Sequence, residues 1–123
     1  VDVTIQSRIP MLIGPPNSQL ALAARQADLP YLAEGFADRA YEASGDLTPR
    51  TIEGAVIAAD EDRVRQAVQI ASTGQVTTRT GETIQLPVRT ICVHGDSPGA
   101  LASARSIRAA LIRSGIAVAA VVP

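Results

Sequence analysis

The sequence predicts an α/β domain with mainly parallel strands and one inserted β-hairpin. Two observations carry this. Short apolar runs bounded by Gly, Pro or Asp alternate with segments whose apolar residues recur at helical spacing, in the order strand, helix, strand, helix, hairpin, strand, helix, strand. In such an alternation each crossover helix returns the chain to lay the next strand beside the last. The second observation is size: 123 residues, 46% hydrophobic and 19% charged, suit one globular domain and exclude the disordered and fibrous classes.

The first strand is read from the apolar run Pro10 to Gly14, closed by the forced turn Gly14-Pro15-Pro16. A helix follows, capped by Asn17 or Ser18, with Leu20, Ala23, Ala24 and Ala27 on one face and Pro30 ending it. Tyr31 to Glu34 is a second short strand. It runs into an irregular stretch, Gly35 to Pro49, which is long for a small domain and too apolar at Phe36 to Tyr41 to be simply disordered. Asp60-Glu61-Asp62 sets three carboxylates at the positive end of the next helix, whose expected stripe is Val64, Ala67, Val68 and Ala71 and whose stop is Gly74. Gln75 to Thr78 and Thr83 to Leu86 flank a Gly81-bearing turn, a hairpin signature. Thr90 to Val93 is a buried strand by composition. Ser97 as cap and Pro98 at the first position predict a helix from about Pro98 to Arg113, with Leu101, Ala104, Ile107 and Leu111 inward and Ser114-Gly115 at its end. Ile116 to Val122 reads as a last strand. Val1, Val3 and Ile5 alternate, which fits either a strand or the cut end of a larger segment, and a start at Val1 rather than Met fits a fragment.

Composition removes several function classes. The net charge is −1 and the 11 basic residues are all Arg, scattered without a run, so no electrostatic footprint for nucleic acid or an anionic membrane exists. Phe36, Tyr31 and Tyr41 are the only aromatics, too few for a base-stacking platform. A single Cys92 fits a reducing compartment, and no apolar run reaches the roughly 18 residues of a membrane span. A cytoplasmic location is the expectation.

In parallel α/β folds ligands collect at the carboxyl ends of strands, and there two clusters of chemistry-bearing residues emerge. His94, the only imidazole, stands one glycine from Asp96, a pair suited to acid/base work. The structural alternative has Asp96 sharing the cap of the next helix and His94 donating to a loop carbonyl. One His is too few for a self-contained zinc site, so no metal is expected. Glu34, Asp38 and Arg39 form the second cluster, in which a guanidinium can grip a carboxylate or phosphate by two hydrogen bonds. Alternatively Asp38 and Arg39 pair locally and pin the loop. Phe36 and Tyr41 read as loop anchors and Cys92 as inert packing. Gly95 and Gly99 match neither the dinucleotide fingerprint nor a P-loop, and the chain has no Lys.

Three segments are more specific. Glu34-Gly35-Phe36-Ala37-Asp38-Arg39-Ala40-Tyr41, then Thr48-Pro49-Arg50 with Gly54-Ala55-Val56-Ile57, then Thr90-Ile91-Cys92-Val93-His94-Gly95-Asp96-Ser97-Pro98 resemble, in order and spacing, the C-terminal half of the LamB/YcsF family, to which the bacterial 5-oxoprolinase component of A type belongs. The resemblance runs from about Leu12 to the C-terminus, with Gly35 standing where the motif has a β-branched or other apolar residue. It implies a partial (half) βα barrel of the glycoside hydrolase/deacetylase type. It also implies ATP-dependent opening of the lactam of 5-oxoproline to glutamate, together with B and C partner subunits; phosphoryl activation suits so stable an amide. His94 and Asp96 carry over as candidate catalytic residues and Glu34, Asp38 and Arg39 as candidate substrate contacts. Half a barrel leaves sheet edges unpaired, so the resemblance further implies a missing N-terminal half, a second copy or a rearranged topology. Two other readings stay open: a truncated, non-catalytic interaction module of the same assembly, and a small nucleotide-binding α/β domain with an anion at the Ser97-Pro98 helix start.

Overall fold

The computed structural model describes residues 8–121. Its elements are β1 (Leu12–Gly14), α1 (Gln19–Gln26), β2 (Tyr31–Phe36), α2 (Asp60–Thr73), β3 (Gln75–Thr77), β4 (Thr83–Gln85), β5 (Thr90–Cys92) and α3 (Ala100–Arg113). The alternating α/β order with a parallel sheet agrees with the expectation. β2 is central in a three-stranded sheet of order β1-β2-β5, in which both pairings are parallel. Its first half pairs with β1, Leu12 opposite Tyr31, and its second half with β5, Glu34 opposite Thr90 and Phe36 opposite Cys92. β2 therefore extends two residues past Glu34. The hairpin forms as expected, with Val76 opposite Ile84.

Ser18, not Asn17, caps α1: its Oγ accepts from the Ala21 N–H at 3.1 Å while donating to the Pro15 carbonyl at 2.9 Å. Only Ala24 of the expected stripe is buried, and Leu20 and Ala27 are exposed. α2 ends at Gly74, whose φ of 66° places it in the left-handed cap position that glycine adopts without strain. Of the predicted stripe, Ala67 is buried and Val64 and Val68 pack partly buried against the same cluster, whereas Ala71 is exposed; the fully buried positions the prediction lacks are Arg63 and Ile70. Arg63 interrupts the apolar periodicity because its charge is satisfied internally. Its Nε donates to the Ile57 carbonyl at 2.6 Å and a terminal nitrogen donates to Ser103 Oγ at 3.0 Å, which in turn donates to Asp60 at 2.7 Å.

α3 starts later than Ser97-Pro98 predicts. Gly99 has φ 74°, outside helical dihedrals, so the helix begins at Ala100 with no side-chain cap, and the Ser97 carbonyl instead accepts the Ala100 N–H in a preceding turn. The buried face of α3 is Ser103, Ile107, Ala110 and Leu111, whereas Leu101 is 66% exposed and Ala104 is exposed. The expected last strand is also corrected: residues 116–121 carry no strand. Apolar alternation only reports a fit to a half-buried pleated surface, and a strand needs a partner ladder. The Ile116 N–H is committed to the Leu111 carbonyl as part of the α3 terminus, and an apolar groove of about 370 Å³ lies among residues of this segment, α3 and β5. The reading of residues 1–9 as a strand falls, for 1–7, outside the described residues.

Two apolar clusters hold the domain. Ala37, Ala67, Ile107 and Leu111, flanked by Ile91 and Val93, join the sheet to α2 and α3; Tyr41, Ile70, Val76 and Leu86 join the long loop to the hairpin. Since side chains alternate along a strand, Gly35 and Ile91 face the helices, while Glu34, Phe36, Thr90 and Cys92 share the opposite face. Among the described residues no helix is long and apolar enough to cross a membrane.

Candidate active site

Because β2 and β5 run parallel, the segments after Phe36 and Cys92 leave the same end of the sheet, and the Ala37 N–H donating to the Cys92 carbonyl at 3.0 Å carries the pairing one step further. Asp38 and His94 therefore meet, 56 residues apart in sequence. Asp38 Oδ2 accepts the His94 backbone N–H at 2.8 Å, and Oδ1 lies 2.8 Å from His94 Nδ1. Asp38 is 1% exposed and the His94 side chain 26%. A carboxylate only accepts, so the network assigns the proton of the neutral ring to Nδ1 and leaves the Nε2 lone pair unprotonated. Among the described residues no hydrogen bond engages Nε2. Phe36 closes one face of the ring, its centroid 5.3 Å away and the planes 16° apart. The result is an oriented imidazole, held at its Nδ1 edge by a buried carboxylate, with the other ring nitrogen left as an acceptor.

The sequence pairs His94 with Asp96; the structure supplies Asp38 in that position, and Asp96 is exposed in the turn before α3. Arg39 is buried and directs Nε to the Ala55 carbonyl at 3.3 Å and a terminal nitrogen to the Thr48 carbonyl at 2.8 Å. It thus closes the long loop on itself, as do the Ala40 N–H donating to Ala55 and the Thr48 N–H donating to Ala40, both at 2.9 Å. Glu34 is half-buried, opposite Thr90 in register and on the same sheet face as Cys92. Burial pushes the Cys92 thiol up, and the Glu34 and Asp38 charges add to this, so the thiol is held in its neutral form. Burial likewise pushes the Tyr41 phenol to about 12. Tyr41 is the loop anchor expected of it, its Oη accepting the Phe36 N–H at 2.9 Å.

Sequence reasoning did not single out Gln66, whose amide donates to the Phe36 carbonyl at 2.8 Å and the Arg39 carbonyl at 2.7 Å. The signal available was its place on α2 between the buried Arg63 and Ile70, where an exposed polar residue is not the default. Among the described residues no three His, Cys, Asp or Glu side chains converge as metal ligands do.

The parallel α/β sheet thus carries an imidazole–carboxylate pair at its carboxyl edge, the place where folds of this class gather their ligands. The comparisons with known proteins are more particular. The LamB/YcsF family profile matches residues 3–123, and the chain belongs to that family. It is 47% identical over 110 residues to the 5-oxoprolinase A subunit of Methylococcus capsulatus, covering 89% of this chain and 42% of that protein. To the 5-oxoprolinase A subunit of Streptomyces griseus it is 44% identical over 118 residues, covering 96% of this chain and 47% of the relative. The crystal structure of the lactam utilization protein from Thermus thermophilus superposes with a TM-score of 0.88 at 31% identity, over 97% of this chain and 48% of that one. The chain thus spans slightly less than half the length of these relatives.

Proposed function

We propose that the chain forms part of an A-type subunit of an ATP-dependent 5-oxoprolinase, working with B and C subunits to convert 5-oxo-L-proline, ATP and water to L-glutamate, ADP and phosphate. The names of the relatives support the assignment, and the His94 imidazole held twice by a buried carboxylate is the observation that carries it. In this reading His94 Nε2 removes a proton from the attacking water as its oxygen bonds to the lactam carbonyl carbon, and Asp38 stabilises the imidazolium. The imidazolium then gives that same proton to the lactam nitrogen as the C–N bond breaks, returning Nε2 to its starting state, and Asp96, two residues on and exposed, is the second candidate group beside this transfer. Glu34 and the Asp38-Arg39 loop shape the wall that receives the small acidic lactam. We further read the three-stranded sheet with its helices as part of a βα barrel of the glycoside hydrolase/deacetylase type, completed by additional chain or a second copy.

ATP enters by resemblance. Its phosphoryl group would activate an amide otherwise slow to hydrolyse. The turn from His94 to Gly99 bears a carboxylate and neither Arg nor Lys, a donor set that does not suit a triphosphate, and no step is assigned through ATP on these residues.

The test is glutamate release from 5-oxoproline by the intact protein that carries this chain, assembled with its B and C partners. Release should require ATP and should fall by about 10²–10⁴ in His94→Ala, the range of general acid–base contributions, with Asp96→Ala also impaired and both variants folded. Unchanged turnover in both variants would leave a non-catalytic module of the assembly.

A further inference from the structure

We propose that Gln66 is a positioning residue for the Asp38–His94 pair: from α2 it sets the backbone turn that aims the Asp38 carboxylate at the imidazole. The inference rests on the acid/base reading of that pair. Where β2 ends, its ladder ends too, and the carbonyls of the departing chain need new donors. Gln66 supplies both protons of one amide nitrogen, to the Phe36 carbonyl at 2.8 Å and the Arg39 carbonyl at 2.7 Å. Those two carbonyls bracket Ala37-Asp38. Phe36 is also the residue whose ring stacks on His94, so one side chain fixes the carboxylate and the aromatic wall together. Other restraints on the turn include the Ala37 N–H to Cys92, the Ile57 N–H to the Asp38 carbonyl, the Phe36 N–H to Tyr41, and the Arg39 guanidinium on the Thr48 and Ala55 carbonyls. Each of these holds one point, whereas the Gln66 amide ties the two ends of the turn to a helix anchored in the core at Ala67 and Ile70. Asp38 must meet two donors of His94 at 2.8 Å at once, and a misplacement of about 1 Å is enough to cost about 10²-fold in rate.

The test uses the intact protein assembled with its partners, comparing Gln66→Ala and Gln66→Glu with Gln69→Ala. The last removes an amide on the same helix that donates to Thr77 at 3.0 Å, away from the pair. Gln66→Ala should lower kcat about 10–100-fold with KM within twofold, and should shift or broaden the His94 Nδ1–H signal in ¹⁵N-resolved NMR. Gln66→Glu faces two carbonyls with no donor until it is protonated, so its activity relative to wild type should rise as pH falls. Gln69→Ala should change none of these. A Gln66→Ala protein that melts earlier but keeps kcat and the His94 signal overturns the proposal; should that variant fail to fold, a pH-independent Gln66→Glu ratio with an unmoved His94 signal does so. If His94→Ala leaves turnover intact, the catalytic reading fails by itself, while the NMR signal still reports whether Gln66 positions the pair.

Discussion

Replacing Asp38 by Asn separates the chemistry of the pair from its structural role. The carboxylate accepts two hydrogen bonds at 2.8 Å while 1% exposed, and bonds to a buried charged group contribute about 1.5–3 kcal/mol each. Asn keeps the shape and one acceptor. If its oxygen stays on the His94 N–H, its NH₂ faces Nδ1; the reverse orientation sets donor against donor at the backbone and leaves a buried N–H unpaired at about 1–3 kcal/mol. The first orientation wins, at a loss of about 1–3 kcal/mol, which a domain of about 5–15 kcal/mol tolerates. The tautomer then inverts: Nδ1 must accept, the proton moves to Nε2, and the exposed nitrogen can no longer act as a base. Asp38→Asn should therefore remain folded by circular dichroism while glutamate release falls about 10²–10⁴-fold. Nitrogen chemical shifts of the His94 ring should show the proton on Nε2. A variant that keeps the proton on Nδ1, or that turns over within twofold of wild type, would refute both the tautomer assignment and the role built on it.

Two further outcomes test the scaffold. A Cβ at Gly35 would lie 3.2 Å from Val88 Cγ2 and 3.4 Å from Ile70 Cγ2 and Leu86 Cδ2, so Gly35→Ala should change stability by less than about 1 kcal/mol in urea unfolding, entropy gain against crowding, while Gly35→Val should lose about 1–3 kcal/mol; a fully stable Val variant would contradict the tight packing there. Thr78 and Thr80 hydroxyls donate to Glu82 and pull its carboxyl from 4.5 down to about 2. A folded-state value below the unfolded one gives stability that is present above about 4.5 and lost as pH falls toward about 2. Glu82→Gln should flatten the stability–pH curve in that window, and an unaltered slope there would remove the turn from the account.

Local signals in the sequence translate well where one residue type decides the geometry. Gly74 ends α2 with a left-handed cap, and the Gly81 turn sets the hairpin register, because each effect is complete within a few residues. The apolar stripes of α2 and α3 are displaced toward Arg63 and Ser103, since a polar residue belongs inside once a partner on another helix satisfies it, and that partner lies 40 residues away. Residues 116–121 have strand-like composition without a strand because pairing is a property of two segments. The same limit governs the site. Its location at the ends of β2 and β5 follows from parallel topology, but that His94 would join Asp38 rather than the nearer Asp96 depends on register, which neither segment encodes alone.

That register also explains how neighbouring residues of one motif come to do different work. Beyond the end of β2, Asp38 is directed to the β5 exit and Arg39 into its own loop, as consecutive side chains of extended chain diverge. The guanidinium is thereby committed to the Thr48 and Ala55 carbonyls, while the carboxylate is committed to the imidazole. For Arg39 to grip a substrate carboxylate, it would have to give up bonds that contribute about 1.5–3 kcal/mol each and open a loop whose closure they maintain. The loop order and the poise of His94 are consequently coupled: the contacts that fold Ala37 to Ile57 back on itself include the Ile57 N–H to the Asp38 carbonyl, and they hold the Arg39 end of the turn that Gln66 fixes from α2. Substitutions at Arg39 should reach the chemistry through that geometry, moving kcat together with loop protection in hydrogen exchange; a change in KM alone, with protection intact, would place Arg39 on the substrate instead.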